Sequence, residues 1–169
     1  KKFYGPSTLR TGIEKSRNLM TVRVAQKVGF DKISKITKNF GIYDDLPELL
    51  SVALGSAETT LVKLSNAYCT FVNGGKKVTP IFIDRIQDRR GKTIFNADKR
   101  KCIGCQEISY LRDEIPLIQN ESEQIISTET AYQITSMMEG AVQRGTGRKL
   151  KNLNLVLAGK TGTTNKNMD

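Results

Sequence analysis

Leu155-Val156-Leu157-Ala158-Gly159-Lys160-Thr161-Gly162-Thr163-Thr164 changes character halfway along. A short apolar run breaks into a lysine surrounded by glycines and hydroxyls, which reads as a strand whose far end is a polar surface for a ligand. Two chemistries fit. One is a phosphate loop, G-x-x-x-x-G-K-[ST], whose backbone amides and lysine cradle phosphate oxygens. The other is a K-T-G strand lining a cleft in which a serine is acylated. A phosphate loop ending in Gly159-Lys160-Thr161 requires glycine at position 154, where the chain has Asn154. It also requires a helix opening at once behind it, and Gly162-Thr163-Thr164-Asn165 starts a helix poorly. The acylation reading is therefore preferred.

Outward from this stretch, the preceding residues read as a helix opened by Ser127 and Thr128. Ala131, Ile134, Met138 and Val142 lie on one face of it, and it stops at Arg144-Gly145-Thr146-Gly147. Farther back, Ile81, Ile83 and Arg85-Ile86, a turn at Arg90-Gly91, and Thr93-Ile94-Phe95 predict a hairpin. Residues 96–122 lose periodicity and read as a surface excursion. Thr59 or Thr60 caps a helix with Leu61, Leu64, Tyr68 and Phe71 as its core face, ended by Asn73-Gly74-Gly75. Near the N-terminus, Pro6-Ser7-Thr8 opens a short helix with Leu9 and Ile13. A second helix carries Leu19, Val22, Ala25 and Val28 up to Gly29, and Asp31 caps a third that Gly41 closes. Ser16-Arg17-Asn18 then falls at a junction between two helices.

Composition narrows the chemistry. The 169 residues carry a formal net charge of +10 and no histidine. Without histidine no Ser-His-Asp or Cys-His apparatus forms within the chain, so an activated nucleophile needs lysine or a carboxylate as its base. The lysines and arginines are scattered, without the interleaved aromatics that stack bases, and nucleic acid is not an expected partner. Of three cysteines, Cys102 and Cys105 form a C-x-x-C too poor in further ligands for zinc, leaving a local disulfide or two thiols. No cofactor or metal is expected. No apolar run approaches the roughly 18 residues of a membrane span.

Ser16-Arg17-Asn18 gives S-x-N, a pattern that alone signals ordinary turn and capping chemistry. Followed by K-T-G-T, with helices between, it becomes informative. The chain resembles the transpeptidase domain of class A, bifunctional penicillin-binding proteins along nearly its whole length. The resemblance is carried by Ser7-Thr8-Leu9-Arg10, Lys15-Ser16-Arg17-Asn18, Ala53-Leu54-Gly55-Ser56, Ala67 to Gly75, Val142 to Gly147, and Ala158 to Asn165. It implies an α+β fold of the penicillin-binding and serine β-lactamase kind, a helical region plus an antiparallel sheet that carries the K-T-G strand. It also implies a peptidoglycan D,D-transpeptidase that cross-links stem peptides ending in D-Ala-D-Ala and is acylated by β-lactams. A hydrolytic relative (a β-lactamase or D-Ala carboxypeptidase) and a non-catalytic basic module binding nucleic acid or anionic wall polymer are the alternatives.

By the same resemblance, Ser16 relays a proton, Asn18 hydrogen-bonds the donor peptide, and Lys160 supplies positive charge beside the substrate carboxylate. Thr161 and Thr163 grip that carboxylate, Gly162 lets substrate lie close to the backbone, and the Thr163 amide is an oxyanion donor. The family's nucleophile motif, S-x-x-K, is absent: no serine has lysine three residues on, and Ser7 is followed there by Arg10. The expectation is a fragment, one partial transpeptidase domain over 1–169. It would begin after the nucleophile helix, end before the last strands of the sheet, and be inactive alone. The resemblance places the parent at the periplasmic face of the cytoplasmic membrane, with a glycosyltransferase domain and a membrane anchor upstream.

Overall fold

The computed structural model describes residues 4–103, 117–118 and 121–162. They divide into two units: Lys1–Lys77 with Gln124–Asp169, and Val78–Glu123. Among its described residues the first unit holds five α-helices: α1 Leu9–Glu14, α2 Asn18–Val28, α3 Phe30–Asn39, α4 Leu61–Val72 and α5 Thr128–Gln143. None of the described helices is long and apolar enough to cross a membrane.

Local chemistry explains where these helices begin. The Thr8 hydroxyl accepts from Thr11 N, Thr60 from Lys63 N, and Ser127 from Thr130 N, each satisfying a donor that the first helical turn leaves free. Thr59 is not the cap of α4; its hydroxyl donates to the Ile42 carbonyl. Asp31 does not cap α3 either. Gly29, at φ 90°, closes α2 and leads directly into α3, so Asp31 sits inside the first turn, where its charge favours the helix dipole.

The Ser127 cap also acts on a charge. The Glu129 carboxyl is held below its ordinary pKa by a bond to its own backbone N–H and by the Ser127 hydroxyl. Replacing Ser127 by alanine should destabilise the protein by about 1 kcal/mol and let the Glu129 pKa rise toward its ordinary value. Thermal denaturation and NMR titration read the two effects.

The core forms where α4 and α1 meet α5. Ala67, Ala131 and Ala141 are buried, as are Met138, Val142 and Thr70. The three alanines let helix backbones approach closely. Phe40 packs against Phe71 with ring centroids 5.1 Å apart and planes tilted by 41°, and Tyr68 meets Phe71 edge-on at 6.4 Å. The α5 face matches the sequence pattern, but the α4 face is rotated from it. Leu61 is 79% exposed and Leu64 41%, while Ala67 and Thr70 turn inward. The small residues win because they are what the close α4–α5 packing admits.

In the second unit β1 Arg85–Gln87 pairs antiparallel with β2 Thr93–Asn96, with a register shift between Ile86 and Gln87. Asp88 accepts from the Arg90 and Lys92 amides and fixes the turn. The strand starts at Arg85, later than the β-branched pattern from Ile81 suggests, because Arg85 pairs with Asn96, where the partner strand ends. β3 Cys102–Ile103 and β4 Leu117–Ile118 form a second antiparallel pair. Most of the remainder of the expected excursion over 96–122, Cys105 included, lies outside the described residues.

Candidate active site

Ser16 sits at the reversal between α1 and α2. Its amide donates to the Ile13 carbonyl and the Arg17 amide to the Gly12 carbonyl, which winds up the end of α1. The turn requires φ 51° at Ser16, left-handed backbone that a residue with a Cβ adopts at a cost of about 1–3 kcal/mol. Such strain persists where surrounding structure enforces it, as at functional turns. Arg17 lays its guanidinium 3.4 Å from the centroid of the Tyr4 ring. Asn18 opens α2 and is exposed.

The K-T-G segment approaches this turn from the other end of the chain. A 3-10 turn, Arg148–Leu153, closes at Asn154 with φ 52°, and the backbone then runs without regular structure through Gly162. The strand expected from Leu155 into the K-T-G residues is not formed among the described residues: no neighbouring strand offers it a ladder, and Val156 is 92% exposed. The segment is tied to α5 by the Gly159 amide, which donates to the Met138 carbonyl.

Lys160 joins the two motifs. Its Nζ donates to Ser16 Oγ at 2.7 Å, across 144 residues of sequence, and to the Thr161 carbonyl at 2.7 Å. Although the residue is exposed overall, desolvation of the ammonium lowers its pKa below that of an ordinary lysine. The amine therefore gives up its proton more readily, and a lysine hydrogen-bonded to a hydroxyl can exchange a proton with it.

Thr161 Oγ1 lies 2.6 Å from Thr146 Oγ1, so its hydroxyl already has one partner; a hydroxyl both donates and accepts, leaving capacity for a ligand. A Cβ added to Gly162 would meet nothing within 4 Å, so the backbone there faces open space. Thr163 lies outside the described residues.

Sequence reasoning assigned no role to the groups that hold this arrangement in place. Glu14, only 5% exposed, takes both its carboxylate oxygens to Arg144, from Nε at 2.9 Å and Nη2 at 2.5 Å. Arg10 lies 3.6 Å from the same carboxylate and donates to Ser136 on α5. The Thr146 amide donates to the Glu14 carbonyl at 3.1 Å, and Lys15 Nζ donates to the Arg144 carbonyl at 2.6 Å. Residues 144–147 thus touch both the helix that leads to Ser16 and the segment that carries Lys160. Among the described residues no cluster of His, Cys, Asp or Glu is suited to a metal ion.

The model of the penicillin binding protein transpeptidase domain matches residues 1–169. The chain belongs to the transpeptidase family of penicillin-binding proteins. It is 48% identical over 170 residues to penicillin-binding protein 1A of Rickettsia conorii, covering 99% of this chain and 22% of that relative. The chain therefore spans about a fifth of the relative's length. Among solved structures it is similar to penicillin-binding protein 1A from Haemophilus influenzae, with 32% identity, a TM-score of 0.78 and coverage of 97% of this chain and 27% of the other. The D,D-transpeptidase domain of a peptidoglycan glycosyltransferase from Eggerthella lenta shares the fold, at 21% identity and a TM-score of 0.72 over 97% of this chain and 43% of that one. The architecture is the α+β penicillin-binding transpeptidase fold.

Proposed function

We propose that this chain supplies two walls of the acylation cleft in a serine-type peptidoglycan D,D-transpeptidase, Ser16 to Asn18 on one side and Lys160 to Thr163 on the other. One observation carries the reading: Lys160 Nζ meets Ser16 Oγ at 2.7 Å, so S-x-N and K-T-G face one another through a bond able to move a proton. The attacking serine, with its lysine three residues on, lies outside these 169 residues. That serine attacks the penultimate D-Ala carbonyl of a stem peptide. Ser16, bonded to Lys160, relays the proton to the departing D-Ala amine, and an acceptor amine then resolves the acyl-enzyme. A β-lactam acylates the same serine by opening its ring amide.

Asn18 holds the amide of the donor peptide, and its side chain offers both a donor and an acceptor. Thr161 and Thr163 hold the terminal carboxylate beside the Lys160 charge. The Thr163 amide donates to the tetrahedral oxyanion, a contribution whose loss typically costs ~3 kcal/mol of transition-state stabilisation. The Gly162 backbone, open on its free side, admits the peptide. The enzyme works at the periplasmic face of the cytoplasmic membrane, anchored through a segment outside these residues. The 169 residues alone form no acyl-enzyme.

Labelling the full-length enzyme with penicillin, followed by digestion and mass spectrometry, tests this. The expected adduct is on a serine that has lysine three residues later and lies outside this chain. No adduct, or a stoichiometric adduct within the chain, overturns the reading.

A further inference from the structure

Glu14 is a buried acid with no place in the acyl-transfer steps above, and the fold is shaped closely around it. A Cβ at Gly140 would come within 2.0 Å of Glu14 Oε1, so the carboxylate occupies the space that a side chain there would fill. Its carboxylate is held by two Arg144 bonds and flanked by Arg10. Its carbonyl accepts from the Thr146 amide, and the next residue, Lys15, bonds the Arg144 carbonyl. Ser16 follows directly. Thr146, on the other side of the clamp, meets the Thr161 hydroxyl next to Lys160.

Resting on the proposed transpeptidase reading, we propose that Glu14 is a positioning residue for proton transfer. Through Arg144 it fixes the Ser16 turn and the 144–147 loop relative to one another, and so sets the Ser16–Lys160 separation. The reasoning is geometric. Ser16 lies two residues from the buried carboxylate, in a turn whose left-handed φ needs external support. Bidentate pairing fixes orientation as well as distance, which a single hydrogen bond does not. Glutamine at position 14 keeps the size of the side chain but replaces one acceptor oxygen with an NH2 donor that faces an Arg144 N–H, so the two-oxygen pairing is lost. The turn then relaxes, and a displacement of about 1 Å between reacting groups costs on the order of 10²-fold in rate.

The test is pre-steady-state acylation of the full-length enzyme by labelled penicillin. Glu14→Gln should lower the acylation rate constant about 10- to 100-fold, while the dissociation constant of the initial non-covalent complex changes little. Arg144→Lys, which keeps the charge and loses the fork, should behave alike. Combined with Glu14→Gln it should add little further loss, because both act through one pair. A purely structural role predicts instead a fall in the fraction of enzyme that labels, with a normal rate in the fraction that does. Should Glu14→Gln not fold, Arg144→Lys decides alone. A folded variant of either residue that acylates at the wild-type rate overturns the inference. Wild-type enzyme that takes no label overturns the transpeptidase reading instead, so the two failures are distinguishable.

Discussion

Replacing Lys160 by alanine should slow penicillin acylation of the full-length enzyme by about 10²- to 10⁴-fold, the range associated with losing a positioned acid-base group. Two losses combine. The hydrogen bond to Ser16 disappears, and with it the route by which a proton passes along the cleft. The positive charge beside the carboxylate site disappears as well. Arginine separates the two: it restores charge but does not deprotonate in the working pH range, so Lys160→Arg should recover initial binding while leaving acylation slow.

The pH dependence carries a sign. Desolvation lowers the Lys160 pKa, so the part of the rate profile that follows this amine should fall at a pH below that of an ordinary lysine. Rapid-quench labelling across pH measures both effects. Wild-type labelling kinetics in Lys160→Ala would remove Lys160 from the mechanism. Its thermal stability should stay close to wild type, since the side chain is exposed and its two bonds are local to the cleft.

What the sequence conveyed and what it concealed divide by the range of the interaction. Thr8, Thr60 and Ser127 were readable as helix starts because a cap is satisfied within three residues. The inward faces of α5 were readable for the same reason, as a 3.6-residue period is local. The period on α4 misled at Leu61 and Leu64, because which row faces inward depends on how close the partner helix can come. The strand expected from Leu155 into the K-T-G residues, not formed among the described residues, failed on similar grounds. A ladder belongs to two segments, and no second segment was specified by that stretch. Ser16 and Lys160, which the structure brings within a hydrogen bond, could be set side by side from sequence only because each sits in a recognisable motif; nothing local links residues so far apart. Glu14 and Arg144, 130 residues apart, had no such help. Neither a single buried acid nor a single arginine leaves a periodic signal, and only the fold reveals that they meet.

Gly145→Ala should produce a large loss of stability for a single added methyl group. A Cβ there would lie 2.2 Å from the Glu14 carbonyl oxygen and 2.7 Å from both Cα and the carbonyl oxygen of Ala141. All three are backbone atoms, so no side chain can rotate away; either α1 or the 144–147 loop must move. That movement breaks the Thr146 amide bond to the Glu14 carbonyl and disturbs the Arg144 clamp. Overpacking of this kind costs about 1–3 kcal/mol or more, and the lost hydrogen bond adds roughly 1 kcal/mol. The melting temperature should drop by about 5–10 °C. Gly159→Ala is the matched control, since a Cβ there meets nothing within 4 Å, and it should melt at or slightly above the wild-type temperature. Equal melting of the two variants would show that α1 does not rest on residues 144–147 as described. Because Gly145→Ala acts first on the fold and Lys160→Ala first on the chemistry, measuring both variants for melting and for acylation separates the scaffold from the proton path it holds.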